Sequence, residues 1–131
     1  MDVMNLNQIC EELVKVIPEQ KDKLKNSMEE YDGELLGHIY FGDEFNMHLI
    51  NLLEKYTEIE TIKKYCDFIE YMWKNGDKDV INIVDVTILE RLSDDIVIWN
   101  RFGENISNEF KKYINNDLIP NNILMNHVSK L

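Results

Sequence analysis

The sequence predicts an all-α fold: a single compact domain of about six to seven helices, packed as antiparallel helical hairpins. Three observations support this prediction. Apolar residues recur at helical spacing along most of the chain, the two prolines and five glycines fall between the apolar stripes, and the length of 131 residues suits one domain. A chain of this length buries about two-thirds of its unfolded surface, which is enough for a core. We expect the domain to extend over residues 1–131.

Pro18 separates the first two predicted helices. Apolar residues at positions 9, 13, 16 and 17 follow the spacing of one helix face. Pro18 can end this helix and occupy the first turn of the next, where its missing N–H is not needed. The second helix has Leu24 and Met28 on its apolar face, and Asp32-Gly33 is its expected end.

The middle of the chain contains one ambiguous segment and two helix starts. Residues 34–41 are mostly apolar but short and interrupted by a glycine, so the pattern leaves open whether they are helical. Asp43 is the expected N-cap of the next helix. Thr57 and Glu60 have the spacing of a capping box at the start of a further helix, which Gly76 closes.

The stretch VINIVDVTIL has the composition of a strand but the spacing of a helix. Asp77 is a good N-cap, and the apolar residues of 80–92 recur at intervals of three and four. Ile83 and Val86 make the segment apolar on more than one side, so we expect a buried helix. Residues 58–92 are therefore predicted to form an antiparallel helical hairpin. The hairpin resembles one unit of a HEAT-like solenoid, although no second copy recurs at a fixed period.

Three shorter helices complete the prediction. Ser93 or Asp94 is expected to cap a helix that ends at Gly103. The next helix has an apolar stripe of Ile106, Phe110 and either Tyr113 or Ile114. Pro120 is expected to open a final short helix. Its inward-facing residues would be Ile123, Leu124 and Val128.

The net charge of −11 is the most informative feature of the composition. Nucleic acid is a polyanion that proteins bind through Lys and Arg, so no nucleic acid is expected as a partner. An anionic membrane surface would repel the chain as well, and no stretch is apolar enough to cross a bilayer. The N-terminus lacks the pattern of a cleavable signal. Cys10 and Cys66 have the context of buried free thiols in a reducing compartment, so we expect a cytoplasmic protein.

Acidic residues are concentrated in a stretch that lacks bases, because no Lys or Arg occurs between Lys25 and Lys55. We expect this stretch to form one surface that steers a basic partner protein by long-range attraction. The alternative is a solvated surface that serves only solubility. The partner-binding residues predicted here, called the acidic window below, are Glu29, Glu30, Asp32, Glu34, Asp43 and Glu44.

The sequence does not predict an enzyme, a metal site or a cofactor. Glu44 and His48 are four residues apart on one helix and His38 is near in sequence, so a metal site can be drawn. However, the chain has no HExxH, no paired ExxH and no Cys/His array, and a helix-surface Glu–His pair is favoured instead. Nucleophile elbows, phosphate-binding loops and dinucleotide fingerprints are also missing from the sequence.

The segments GELLGHIYFGDEF and FIEYMWKNGDKDVINIVDVTILERLSDD together resemble a family of small bacterial all-α domains of unknown function. The similarity rests on an L-x-H-x-x-F-G loop, a helix that ends at Gly76-Asp77 and a V-x-x-x-x-L-E helix, and it covers roughly the middle half of the chain. Small acidic helical proteins of this kind are similar to candidate immunity proteins of bacterial toxin systems, which bind and block a cognate toxin.

The resemblance implies a non-enzymatic protein-binding module, most concretely an immunity-type protein that neutralises a basic toxin. A helical scaffold or regulatory domain is the alternative. The sequence leaves the identity of the partner and the oligomeric state open.

Overall fold

The computed structural model describes residues 3–124 and 129–131, and over these residues the chain is all-α, as predicted. Seven helices follow one another in the described part, and a 3₁₀ turn at Pro18–Gln20 joins the first two. They are α1 (Leu6–Val16), α2 (Lys21–Glu30), α3 (residues 37–55), α4 (Ile59–Asn75), α5 (residues 78–92), α6 (Ile96–Gly103) and α7 (residues 108–118).

Helices α3, α5 and α7 each contain one π turn, a local widening of the helix. The three turns are Phe41–Phe45, Val84–Ile88 and Ile114–Leu118. The first two pack against each other, so α3 and α5 cross at their widened turns. At this crossing the Asn46 side-chain amide donates to the Ile88 carbonyl at 3.2 Å. A polar contact thereby fixes the register of two helices that otherwise meet through apolar side chains.

The core consists of aliphatic and aromatic side chains contributed by all seven helices. Phe45 lies near its middle, with its ring centroid 5.3 Å from that of Phe41 and 5.0 Å from that of Tyr65. Cys10 and Cys66 are buried free thiols, as predicted. Burial raises the pKa of the Cys10 thiol to about 12, so this side chain packs as a small apolar group.

Several predicted helix boundaries are confirmed. Pro18 occupies the first position of the 3₁₀ turn that leads into α2. The residues after α2, Asp32 and Gly33, both have left-handed backbone angles (φ of 56° and 82°), and the Gly33 N–H donates to the Met28 carbonyl at 2.7 Å. This bond satisfies a carbonyl at the end of α2, so the Asp-Gly pair ends the helix.

Helix α5 is buried and capped as predicted. The Asp77 carboxylate accepts a hydrogen bond from the Val80 N–H at 3.0 Å, and Val84 is completely buried. Of the two residues expected to make α5 apolar on a further side, Ile83 is buried as predicted, whereas the prediction is wrong for Val86, whose side chain is 44% exposed. The turn between α4 and α5 is tied to the N-terminal segment: the Met4 N–H donates to the Asn75 carbonyl at 2.7 Å, and the Asp77 N–H donates to the Met4 carbonyl at 2.8 Å.

Two predicted helix starts are wrong. Helix α3 begins at Gly37, so the ambiguous segment is largely helical, and Asp43 lies inside the helix instead of capping it. Burial of aromatic residues on both sides of the predicted start extends the helix, which shows tertiary packing overriding local propensity. Helix α4 begins at Ile59, after Glu58 and with no side-chain cap in the described structure, so the expected capping box at Thr57 does not form.

The cap of α6 also differs from the prediction. Asp95, not Ser93 or Asp94, occupies the N-cap position, and its carboxylate accepts from the N–H groups of Val97 and Ile98 at 2.8 and 3.1 Å. Ser93, Asp94 and Asp95 all have side chains that can cap a helix, so the sequence pattern does not distinguish them. Asp95 is the cap because a helix that begins after it packs its apolar side on the core.

The final helix predicted from Pro120 is not formed over the described residues. Residues 119–122 make a turn, in which Asn122 has a left-handed φ of 55° that a helix does not accommodate. Leu124 is buried as expected, whereas Ile123 is 39% exposed. Val128, which was also expected to face inward, lies outside the described residues.

Candidate functional site

The six residues of the acidic window lie in three consecutive parts of the fold. Glu29 and Glu30 occupy the last turn of α2, and Asp32 and Glu34 follow in the connecting loop. Asp43 and Glu44 lie in the π turn of α3. Five of the six are exposed and Glu44 is partly buried.

Nearby bases compensate part of this charge in space. Glu29 lines a hollow between α1 and α2 together with Lys21 and Lys25. Asp43 pairs with Arg91, whose Nη1 atom lies 3.0 Å from the Asp43 Oδ1 atom. Asp43 of the acidic window is thus paired with a base, and Glu29 lies near two lysines. Glu34 lies in a separate hollow near Asp77.

Gly42 makes room for the Arg91 side chain. A Cβ atom at Gly42 would lie 2.8 Å from the guanidinium carbon of Arg91. The guanidinium therefore rests directly against the backbone of α3 and reaches Asp43 from there. The pair links the end of α5 to the π turn of α3.

A hollow of about 350 Å³ lies beside this link, between α3 and α6. Its lining combines apolar and acidic side chains with one base: Met47, Ile50, Glu54, Arg91, Asp94, Asp95 and Ile98. We call this site the α3–α6 hollow. The charged part of the lining therefore consists of three carboxylates and one guanidinium, and the guanidinium is paired with Asp43.

Three exposed apolar side chains belong to the α3–α6 hollow or follow its lining residues in the chain. Met47 is 47% exposed, and Ile96 and Val97, which follow the cap of α6, are 53% and 50% exposed. Exposed apolar residues that cluster beside carboxylates have the composition of a protein-interaction surface, with an apolar centre and a charged rim.

Sequence reasoning did not identify this surface, although two features of the sequence point to it. The inward stripe of α6 is formed by Ile98, Trp99 and Phe102, so the preceding Ile96 and Val97 are apolar residues that the core does not use. Second, Glu54 falls in the stretch without bases. Its proximity to the start of α6 depends on the packing of α3 against α6.

His38 and His48 make contacts of a structural kind. The Nδ1 atom of His38 lies 2.6 Å from the Thr87 hydroxyl oxygen, which joins α3 to α5. His48 stacks on Tyr65 with a centroid distance of 5.3 Å and an interplanar angle of 6°. Burial and the neighbouring Lys23 ammonium lower the pKa of His48. Among the described residues no cluster of His, Cys, Asp and Glu is arranged to hold a metal ion.

Asp85 is a carboxyl group in an unusual environment. The Tyr113 hydroxyl donates to Asp85 Oδ2 at 2.8 Å, while Oδ1 is buried with no hydrogen-bond partner in the described structure. Burial raises the pKa of Asp85 to about 6, and the hydrogen bond from Tyr113 opposes that rise. The group joins α5 to α7 and changes its protonation near neutral pH.

Comparison with known proteins identifies a family but no characterised relative. No curated protein and no solved structure matches the chain. Within the described residues, no helix combines the length and apolar character needed to cross a membrane. A family model described as a domain of unknown function (DUF7674) matches residues 10–120. This match covers most of the chain, including α2 through α7, and the chain therefore belongs to the DUF7674 family.

Proposed function

We propose that this protein is a non-enzymatic binding module of the immunity type, which binds a basic toxin protein through the α3–α6 hollow and neutralises it. The observation that carries the proposal is the patch at this hollow. Met47 and Val97 supply exposed apolar surface, and Glu54 and Asp95 lie among the acidic residues that line it.

The apolar and acidic parts of the patch have different roles in binding. Burial of Met47, Ile96 and Val97 against a partner would remove apolar surface from water, which contributes about 25 cal/mol per Å² before the costs of association. The carboxylates would attract a cationic partner over a distance and so accelerate its encounter with the hollow. The net charge of −11 adds to this attraction from the whole molecule.

Two buried groups of potentially reactive chemistry, the Cys10 thiol and the Tyr65 hydroxyl, are not activated as nucleophiles. Burial raises the pKa of Cys10 to about 12 and that of Tyr65 to about 12, so both remain protonated and weakly nucleophilic at neutral pH. Tyr65 also accepts a hydrogen bond from Gln20, which in turn accepts one from Tyr40. The hydroxyl groups of Tyr40 and Tyr65 thus form hydrogen bonds with the buried side-chain amide of Gln20 in the core.

A capture and co-expression experiment tests the proposal. The tagged protein is used to isolate its partner from the source cells, and the captured protein is then expressed in a host with and without this chain. We expect a basic captured protein that arrests growth when expressed alone and is tolerated when co-expressed with this chain. A captured protein that is harmless alone, or toxic regardless of this chain, would contradict the immunity role and favour a helical scaffold.

A further inference from the structure

Residues 129–131 lie in a groove between α6 and α7, where three hydrogen bonds to other described residues hold them. The Trp99 indole N–H donates to the Ser129 carbonyl at 2.9 Å. The Asn115 amide donates to the Leu131 carbonyl at 3.1 Å, and the Leu131 N–H donates to the Asn115 side-chain oxygen at 2.8 Å. All three bonds are made to the backbone of the segment.

The Asn115 side chain recognises both backbone groups of one residue. A primary amide has a donor and an acceptor side by side, so it pairs with the N–H and the main-chain oxygen of one residue, as a residue of a neighbouring antiparallel β-strand would. Trp99 is completely buried, and its indole nitrogen uses the Ser129 carbonyl as its acceptor. A buried indole N–H without an acceptor is unfavourable. The groove therefore favours an occupant that supplies a carbonyl at this position.

Gly103 provides the space for the Leu131 side chain. A Cβ atom at Gly103 would lie 2.8 Å from Leu131 Cδ2 and 3.4 Å from Leu131 Cβ. The side chain of Leu131 packs against the core from this position. In contrast, Lys130 is exposed. The groove thus contacts one apolar side chain and the backbone around it. The side chain at position 130 does not contribute to recognition.

We propose that Trp99, Gly103 and Asn115 form a peptide-binding groove, whose ligand is a short segment with a leucine-sized side chain and whose resident occupant is residues 129–131. Because recognition uses backbone groups and one apolar notch, the same segment presented by a separate peptide competes for the groove. The resident segment has the advantage of a high effective concentration, so a free peptide binds weakly until the segment is released.

The test uses the full chain and the peptide acetyl-Val-Ser-Lys-Leu-amide. The chain has only two tryptophans, so in ¹H–¹⁵N spectra the Trp99 indole signal reports on the groove and the Trp73 signal serves as an internal reference. We expect Leu131→Asp to shift the Trp99 signal and the added peptide to return it towards the wild-type position. A peptide with Asp in place of Leu should have no effect, and Lys130→Asp should leave the wild-type signal unchanged.

A second measurement does not depend on a variant that folds. Excess unlabelled peptide is added to the ¹⁵N-labelled wild-type chain, and the Leu131 amide signal is followed as the resident segment is displaced. Movement of this signal with the parent peptide but not with the Asp peptide supports the groove. Equal effects of the two peptides, or no movement at saturating millimolar peptide, would overturn the proposal.

Discussion

Arg91 of α5 lies across the π turn of α3, with its Nη1 atom 3.0 Å from Asp43 Oδ1 and its guanidinium against the backbone of Gly42. Arg91 also lines the α3–α6 hollow. Asp43 therefore pairs with the one base in the hollow's lining, and the exposed carboxylates of Glu54 and Asp95 add negative charge there. This arrangement connects a pair on the surface of the fold to the electrostatics of the proposed binding site.

Gly42 and Gly76 should respond differently to substitution by alanine. At Gly76 a Cβ atom would lie 2.3 Å from Val80 Cγ1 and 2.6 Å from the Met72 carbonyl oxygen, so Gly76→Ala should cost about 1–3 kcal/mol through overpacking. At Gly42 the added atom meets only the mobile end of Arg91. Gly42→Ala should break the surface ion pair between Arg91 and Asp43, which is worth up to about 1 kcal/mol. The higher helix propensity of alanine offsets this loss by a similar amount.

Urea unfolding of both glycine variants measures this difference. Gly42→Ala should unfold at nearly the wild-type midpoint and Gly76→Ala at a clearly lower one. Equal losses at the two positions would show that the close contacts at Gly76 are relieved without cost.

The N-cap of α5 should contribute measurably to stability. Asp77→Ala removes the acceptor of the Val80 N–H, which is expected to cost about 1 kcal/mol. The neighbouring exposed residue offers a control, since Lys78→Ala should change the free energy of unfolding by less than about 0.5 kcal/mol. Thermal and urea unfolding of the two variants compare these values. Equal stability of both would mean that the cap is energetically unimportant.

Two valines on α5 provide a test of its burial. Val84 is completely buried and Val86 is 44% exposed. Val84→Asp would place an unpaired charge in the core and should prevent folding, whereas Val86→Asp should remain folded with a loss within about 0.5 kcal/mol. Circular dichroism and thermal melting distinguish the variants. A folded Val84→Asp protein with an unchanged melting temperature would contradict the environment described for α5.

Asp85 predicts a pH dependence of stability with a defined sign. Its pKa rises from 3.8 to about 6 on folding, so the folded chain binds more protons than the unfolded chain in that window. The contribution of this group to the free energy of unfolding therefore falls as the pH rises from about 4 to about 6. Asp85→Asn can keep the hydrogen bond from Tyr113 and lacks this titration.

The stability of Asp85→Asn relative to wild type should therefore increase between about pH 4 and about pH 7. Because solvent screens this partly exposed carboxyl group, the increase should be smaller than the free energy that corresponds to the full pKa shift, at about 1 kcal/mol. Urea unfolding at both pH values, with Asp79→Asn as an exposed control, measures the difference. If the relative stability is constant or decreases with pH, the Asp85 carboxyl group does not cause the predicted pH dependence of the free energy of unfolding.

Local patterns were sufficient to predict the fold class and most of the helices. The cap at Asp77 and the Asp32-Gly33 stop are short-range features, and the structure confirms both. The start of α3 was missed because the burial of its aromatic residues depends on helices distant in sequence. The same reason explains the cap of α6, where orientation on the core selects Asp95 from three similar residues.

The candidate site was less predictable than the fold. Arg91, which compensates Asp43, lies 48 residues away in the chain, so a charge count along the sequence cannot detect the pair. The α3–α6 hollow likewise brings Glu54 near Asp95 only because α3 packs against α6. A charge pattern identifies the acidic character of the protein, and the packing of its helices determines where that charge is exposed.

The central claim is that a basic partner binds at the α3–α6 hollow, and charge-matched variants can test it. Met47→Lys/Glu54→Lys/Val97→Lys alters the hollow. Glu29→Lys/Glu30→Lys alters the end of α2, within the acidic window, and changes the net charge by the same amount. All five side chains are exposed, so both variants should remain folded, which circular dichroism checks.

The most direct measurement is the association and dissociation rate of each variant with the captured partner across a salt series. We predict that the hollow variant associates roughly ten- to a hundredfold more slowly at low salt and also dissociates faster, because it loses apolar contacts. The Glu29→Lys/Glu30→Lys variant should show only a small loss in association rate that added salt removes. A large loss for that variant, with wild-type rates for the hollow variant, would contradict the account and place the partner at the acidic window.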